Sequence, residues 1–254
     1  RTWAEVSGHS KWSSIKHKKA VTDQRRGRMF GKLLRAVEAA AREGGGNIEG
    51  NATLASAVQK ARDFSVPMEN IERAIKRGTG EIEGVRYEPA TYEGFGPGGV
   101  AILVEAMTDN RNRTGQEIRH TFTKLGGNLG DPGSVAWQFD RKGVLLVDKD
   151  AAPDEERLLE LILDAGAEDL SDEGDQWRVT TEPTALQEVR IILDGAGIAV
   201  ASAELSMIPQ TTVPVEGGRA RQVLGLIDAL DDLEDVQAVH ANFDIPDEVL
   251  AEVG

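Results

Sequence analysis

Two seven-residue strings thirty positions apart, LILDAGA at residues 161–167 and IILDGAG at residues 191–197, restrict what this chain can fold into. Each closes an apolar helical run, with Leu158, Leu159 and Ile162 in the first and Leu186, Val189 and Leu193 in the second. Asp and small residues then break the helix. Strand-like runs flank both: VLLV at 144–147, Trp177–Thr180 and Ala201–Ile208. Strand–helix–strand followed by strand–helix–strand is the ferredoxin-like split arrangement. The pattern predicts a βαββαβ unit over residues 135–209.

Residues 1–80 read as helices only. Met29, Phe30, Leu33, Leu34, Val37, Ala40 and Ala41 recur at helical spacing, within about 140° of arc, and Gly44-Gly45-Gly46 ends the run. Arg25, Arg28, Lys32, Arg35 and Arg42 fall within about 100° on the opposite side, a cationic stripe. A second helix near Thr53–Phe64 sets Leu54, Val58 and Ala61 on one side. A third begins at Pro67, carries Ile71, Ala74 and Ile75, and stops at Gly78. From about residue 85 strands and helices alternate. VAILV at 100–104 is a buried strand, and Thr114–Leu125 is a helix ended by Gly126-Gly127. The last helix, Arg219–Leu230, and strand, Val236–Asn242, have no neighbours of their own and are expected to complete the sheet begun at residues 90–130. The expected fold is α+β and multidomain. A basic helical domain (1–80) precedes two α/β domains, the ferredoxin-like one (135–209) inserted in a discontinuous one (81–134 plus 210–254).

Charge is divided as sharply as periodicity. Residues 1–80 hold 16 Lys+Arg against 8 Asp+Glu, and residues 81–254 hold 13 against 35, so the −14 chain is +8 at one end and −22 over the rest. The absence of cysteine excludes disulfides, thiolate metal sites and cysteine nucleophiles, and fits a reducing, cytoplasmic setting. No apolar run is long enough to span a bilayer, so no membrane partner is expected. RTWAEV lacks a secretory core and is expected to lie upstream of the natural start, with Val6 read from a GTG start codon.

Catalytic and cofactor patterns fail on context. Gly94-Phe95-Gly96-Pro97-Gly98-Gly99 matches G-x-G-x-x-G but opens a strand, whereas a dinucleotide loop opens a helix; a structural hairpin is expected. His9, His17, His120 and His240 show no paired zinc spacing, and no nucleophile elbow occurs. No enzyme activity, metal or cofactor is therefore expected. In Asp109-Asn110-Arg111-Asn112-Arg113-Thr114, Asp109 or Thr114 suits a helix N-cap. Its arginines are either solvated or, through Arg111 and Arg113, a second anion contact.

The basic head is the informative segment. His9, Lys11, Trp12, Lys16, His17, Lys18, Lys19, Arg25, Arg26 and Arg28, continued by Lys32 and Arg35 along the stripe, combine phosphate-binding cations with an aromatic ring. Only Asp23 offsets the cations between Lys11 and Arg35. A solvated run is the ordinary fate of such a segment. Here the acidic remainder repels polyanions, which leaves the head as their approach.

GHSKWSSIKHKKAVTDQRRGRMFGKLLR, YEGFGPGGVAILVEAMTDNRNRT, GSVAWQF and NFDIPDEV occur in this order between Ser7 and Val249. Together they resemble the YebC/PmpR family, which includes mitochondrial translational activators. The resemblance implies a helical N-terminal domain and two α/β domains, and no catalytic residues. It also implies a DNA-binding transcriptional regulator, or a factor acting on the ribosome and its RNA to ease stretches such as consecutive prolines. An acidic protein-interaction scaffold is the alternative of a different class. Oligomeric state is open.

Overall fold

The computed structural model describes residues 23–152 and 154–246. Three helices come first: α1 (Asp23–Gly44), α2 (Ala52–Asp63) and α3 (Met68–Thr79). Leu33, Val37, Ala40, Leu54, Val58 and Ile71 make their shared core, the residues that share one helical face each. The ends of α3 differ from expectation. Pro67 is the N-cap, outside the first turn, and Gly80 ends the helix with φ 81°. Gly78 lies inside α3 because α1 passes against it. A Cβ there would stand 2.4 Å from the Glu38 carbonyl oxygen. Its smallness permits close helix contact; it does not stop the helix.

β1 (Glu88–Phe95) and β2 (Ala101–Thr108) form an antiparallel hairpin, Phe95 opposite Ala101. The glycine string is the turn between them. α4 (Arg111–Lys124) crosses to β3 (Asn128–Leu129), which pairs with β1. Its N-cap is Asn110, whose side chain accepts the Arg113 N–H at 3.1 Å; Asp109 and Thr114 have other partners.

The chain then enters the second sheet through β4 (Phe139–Asp148), α5 (Glu155–Asp164), β5 (Ala167–Asp172), β6 (Gln176–Thr181), α6 (Leu186–Gly195) and β7 (Val200–Pro209). The strand order β5-β6-β4-β7, antiparallel throughout, is the ferredoxin-like one. Leu158, Ile162, Leu186, Val189 and Leu193 pack under the helices. Gly166 and Gly197, at φ 90° and 77°, turn the chain after the two helices, so the internal repeat slips by one residue there.

The chain next returns to the first sheet. β8 (Val213–Pro214) leads to α7 (Gly217–Asp231), β9 (Val236–Ala241) pairs with β2, and β10 (Phe243–Asp244) runs parallel to β8. The order is β3-β1-β2-β9. α4 and α7 cover one face, burying Ile102, Val104, Ile118, Phe122, Leu224 and Ile227. On the other face Ala101 and Leu103 meet Val135 and Phe139 at the entry to the second sheet.

Candidate nucleic-acid interface

The apolar arc of α1 makes the helical core, which leaves its cations on the opposite side. They do not form a free stripe. Lys32 is buried, and its Nζ donates to the Asp231 carbonyl at 2.5 Å. Arg35 donates to the Glu234 carbonyl at 2.6 Å and to Asp235 Oδ1 at 3.2 Å, pairs with the Glu234 carboxylate, and stands 5.0 Å from the Tyr87 ring centre. Arg28 pairs with Asp232 at 3.1 Å, both groups about half exposed. Arg28, Lys32 and Arg35 thus dock on the acidic end of α7 and the turn after it, whereas Arg42 pairs with Glu38 of its own helix at 3.1 Å. Lys32 and Arg35, expected from sequence to contact phosphates, have carboxylates and carbonyls of the same chain as partners.

Asp235 organises this corner. It is buried and accepts Arg113 Nη2 at 2.6 Å, Thr114 Oγ1 at 2.6 Å, Thr108 Oγ1 at 3.2 Å and Arg35 Nη1 at 3.2 Å. Burial alone would raise its pKa, but the Thr114 and Arg113 hydrogen bonds and the charges of Arg113 and Arg35 together hold it below the usual value. Arg113, also bonded to Asp109 at 2.8 Å, is raised by the same hydrogen bonds. Arg111 is more exposed, donating to the Pro89 carbonyl at 2.8 Å and lying 3.4 Å from Glu88. The two arginines proposed from sequence as one anion contact therefore part company. Arg113 is a strut of the corner, while Arg111 is a surface residue.

The helical domain is also tied to the second sheet. Arg190 grips Asp63 with two hydrogen bonds of 2.9 and 3.0 Å, a forked geometry open to arginine and not to lysine. Lys60 pairs with Glu204. Burial pulls the Lys60 pKa down, and the Glu204 charge and hydrogen bond more than offset it. A cavity of about 690 Å³ lies between the helical segment and the two sheets, lined among others by Lys32, Lys60, Glu105, Arg141 and His240. His240 and Glu105 are 3.1 Å apart, a contact that holds the Glu105 carboxyl below its usual pKa against the effect of burial. His120 is exposed on α4. Among the described residues no His, Cys, Asp or Glu cluster is arranged to hold a metal ion.

Glu93 was not singled out from sequence. Buried on β1, it accepts the backbone N–H groups of Gly133, Val135 and Ala136 at 2.7, 2.7 and 2.8 Å. Burial raises its pKa, and the three N–H donors reverse the shift to a lowered value. A carboxylate within a short, otherwise uncharged strand stretch, TYEGF, was the available signal. Asn242 plays a matching part, accepting the Ala101 N–H at 2.7 Å and donating to Gln138 at 3.2 Å.

Of the basic head, His9, Lys11, Trp12, Lys16, His17, Lys18 and Lys19 lie outside the described residues; Arg25 and Arg26 fall in the first turns of α1. No helix among the described residues is long and apolar enough to cross a membrane.

Comparison with known proteins places these features in a family. Residues 10–81 match the model of the TACO1/YebC protein N-terminal domain, and residues 87–243 that of the TACO1/YebC second and third domain. A "probable transcriptional regulatory protein" of Rubrobacter xylanophilus is 57% identical over 249 residues, 98% of this chain and 99% of that one. One of Geobacter sulfurreducens is 54% identical over 243 residues, 96% of this chain and 98% of the relative. The crystal structure of a conserved hypothetical protein, Aq1575, from Aquifex aeolicus superposes with a TM-score of 0.84 at 45% identity, covering 98% of this chain and 99% of the other. The chain belongs to the TACO1/YebC family.

Proposed function

We propose that this protein is a non-catalytic, nucleic-acid-binding regulator of gene expression, acting on DNA as a transcriptional regulator. The observation that carries the proposal is the charge division: +8 over residues 1–80 against −22 over residues 81–254. A polyanion approaching the molecule is repelled by most of it and attracted to one end. The names of the bacterial relatives support a regulatory role. Contact falls to the head: His9, Lys11, Trp12, Lys16, His17, Lys18, Lys19, Arg25, Arg26 and, at its edge, Arg28.

One observation favours folded RNA, ribosomal RNA included, as a second reading. A recognition helix reads a major groove with an open polar face, and on α1 Lys32 and Arg35 are turned to α7. A basic arm preceding an occupied helix suits irregular RNA surfaces at least as well as a groove. Competition at near-physiological salt separates the two. Binding to promoter DNA that resists excess random DNA supports the first reading; co-sedimentation with ribosomes and no preference among DNAs supports the second. Binding to neither overturns both.

A further inference from the structure

Trp137 is 69% exposed, the largest exposure among the described large hydrophobic residues. The segment that carries it is held firmly. Glu93 fixes the backbone of Gly133, Val135 and Ala136, and Val135 is buried beneath it. The indole N–H donates to the Ser134 carbonyl at 3.2 Å. The one polar atom of the ring is thus satisfied locally, and what the ring offers to solvent is its apolar faces. Burying an aromatic side chain stabilises a fold by removing its apolar surface from water. This one forgoes most of that on a rigid support.

A second aromatic ring lies on the same side. Gly94 in β1 and Gly96 just beyond its end face the helices: a Cβ on Gly94 would meet Phe122 at 2.8 Å, and one on Gly96 would meet Leu226 at 3.5 Å. The alternate residues, Glu93 and Phe95, therefore project from the other face of the sheet, towards the segment that Glu93 holds. Phe95 is 36% exposed there. From the face covered by the helices, the start of α7 brings a cation to the turn that follows. A Cβ on Gly98 would lie 3.9 Å from Arg219 Cδ, and Arg219 is exposed, with no hydrogen bond or ion pair among the described residues.

We infer that Trp137 and Phe95 form a stacking platform for unpaired bases of a single-stranded nucleic acid, with Arg219 taking a neighbouring phosphate. The inference rests on the nucleic-acid reading above and adds to it a second contact on the body of the protein. Exposed rings on a fixed frame are what sequence-tolerant base stacking requires, since every base has a π face. The free guanidinium supplies the charge complement for the phosphate. Duplex DNA keeps its base faces stacked within itself, so the platform discriminates single strands from duplexes.

The test uses the full-length protein, a short fluorescent oligouridine and a duplex of equal length, at fixed salt. Trp137→Ala is expected to weaken oligouridine binding about tenfold while changing duplex binding by less than about twofold. Trp137→Phe keeps a π face and is expected to retain most of the affinity, and Arg219→Ala to reduce the salt slope by about one. Independently of how the alanine variant folds, unlabelled oligouridine is expected to quench a component of tryptophan emission that Trp137→Phe lacks. Unchanged affinities together with identical quenching in Trp137→Phe would overturn the platform, assign the ring to a protein partner, and leave the nucleic-acid reading standing. Failure of the unmodified protein to bind either probe would overturn both.

Discussion

Arg35 and Asp235 are separated by 200 positions in sequence and by 3.2 Å between guanidinium and carboxylate. Their contact joins the helical domain to the first sheet. It also explains why the cations of α1 are compatible with a chain of net charge −14: the acidic end of α7 answers them within the molecule.

Asp235→Ala removes the common acceptor of Arg113, Thr114, Thr108 and Arg35 and leaves the largely buried Arg35 short of its partner. Breaking a buried ion pair by deleting one member costs about 3 kcal/mol or more. The expected outcome is a loss of that size in urea unfolding, with a smaller loss for Asp235→Asn, which keeps one acceptor oxygen.

The arginines of the TDNRNRT turn are expected to separate. Arg111→Ala, at a mostly exposed side chain, should change stability by no more than about 0.5 kcal/mol. Arg113→Ala strips Asp235 of a 2.6 Å hydrogen bond and should be the clearly less stable of the two. Thermal melts of the pair, side by side, check the order.

Acid should unfold the protein chiefly through Glu93, Glu105 and Asp235, whose folded pKa values are lowered against the effect of burial. On acidification the unfolded chain takes up protons first, near its ordinary values of about 4. The stability these groups contribute is therefore complete above that pH and is lost as pH falls through the folded values. The unfolding midpoint should be flat above about pH 5 and decline below about pH 4. Glu93→Gln should lower the plateau and make the decline shallower.

Residues 135–209 carry their own core of Leu158, Ile162, Leu186, Val189 and Leu193 beneath one sheet. We propose that the segment is an independent folding unit inserted in the discontinuous domain. Expressed alone, it should melt cooperatively by circular dichroism. A broad, non-cooperative melt beside a sharp one for the whole protein would contradict the division.

What could be read from sequence and what could not differ in physical kind. Local periodicity marks its own partner: Val37 and Leu54 lie on apolar helical faces that had to meet, and the Asp164 and Asp194 repeats had to end helices before strands. The glycine string disclosed its role through the strand that follows it. Gly78 misled, because a glycine that stops a helix and one that admits a neighbouring helix look alike until the neighbour is in place. The corner at Asp235 is of a third kind. Lys32 and Arg35 sit on a polar helix face, and nothing within residues 23–44 says whether solvent, phosphate or a carboxylate some 200 positions away lies opposite. Glu93 was hidden for the same reason, its three partners lying 40 to 43 positions on.

We propose that polyanions are held by the basic head and not by the stripe of α1, and the salt dependence of binding distinguishes the two. With roughly six phosphates engaged, log affinity should fall with log salt at a slope of about −4 to −5. Lys16→Ala, Lys18→Ala and Lys19→Ala combined should shrink that slope by about two to three units, with affinity lost on every sequence tested. Lys32→Ala should leave the slope as it is, whatever it does to stability, because its ammonium is already held by Asp231. A triple variant that is folded by circular dichroism yet keeps the wild-type slope on both DNA and ribosomal RNA would contradict the account.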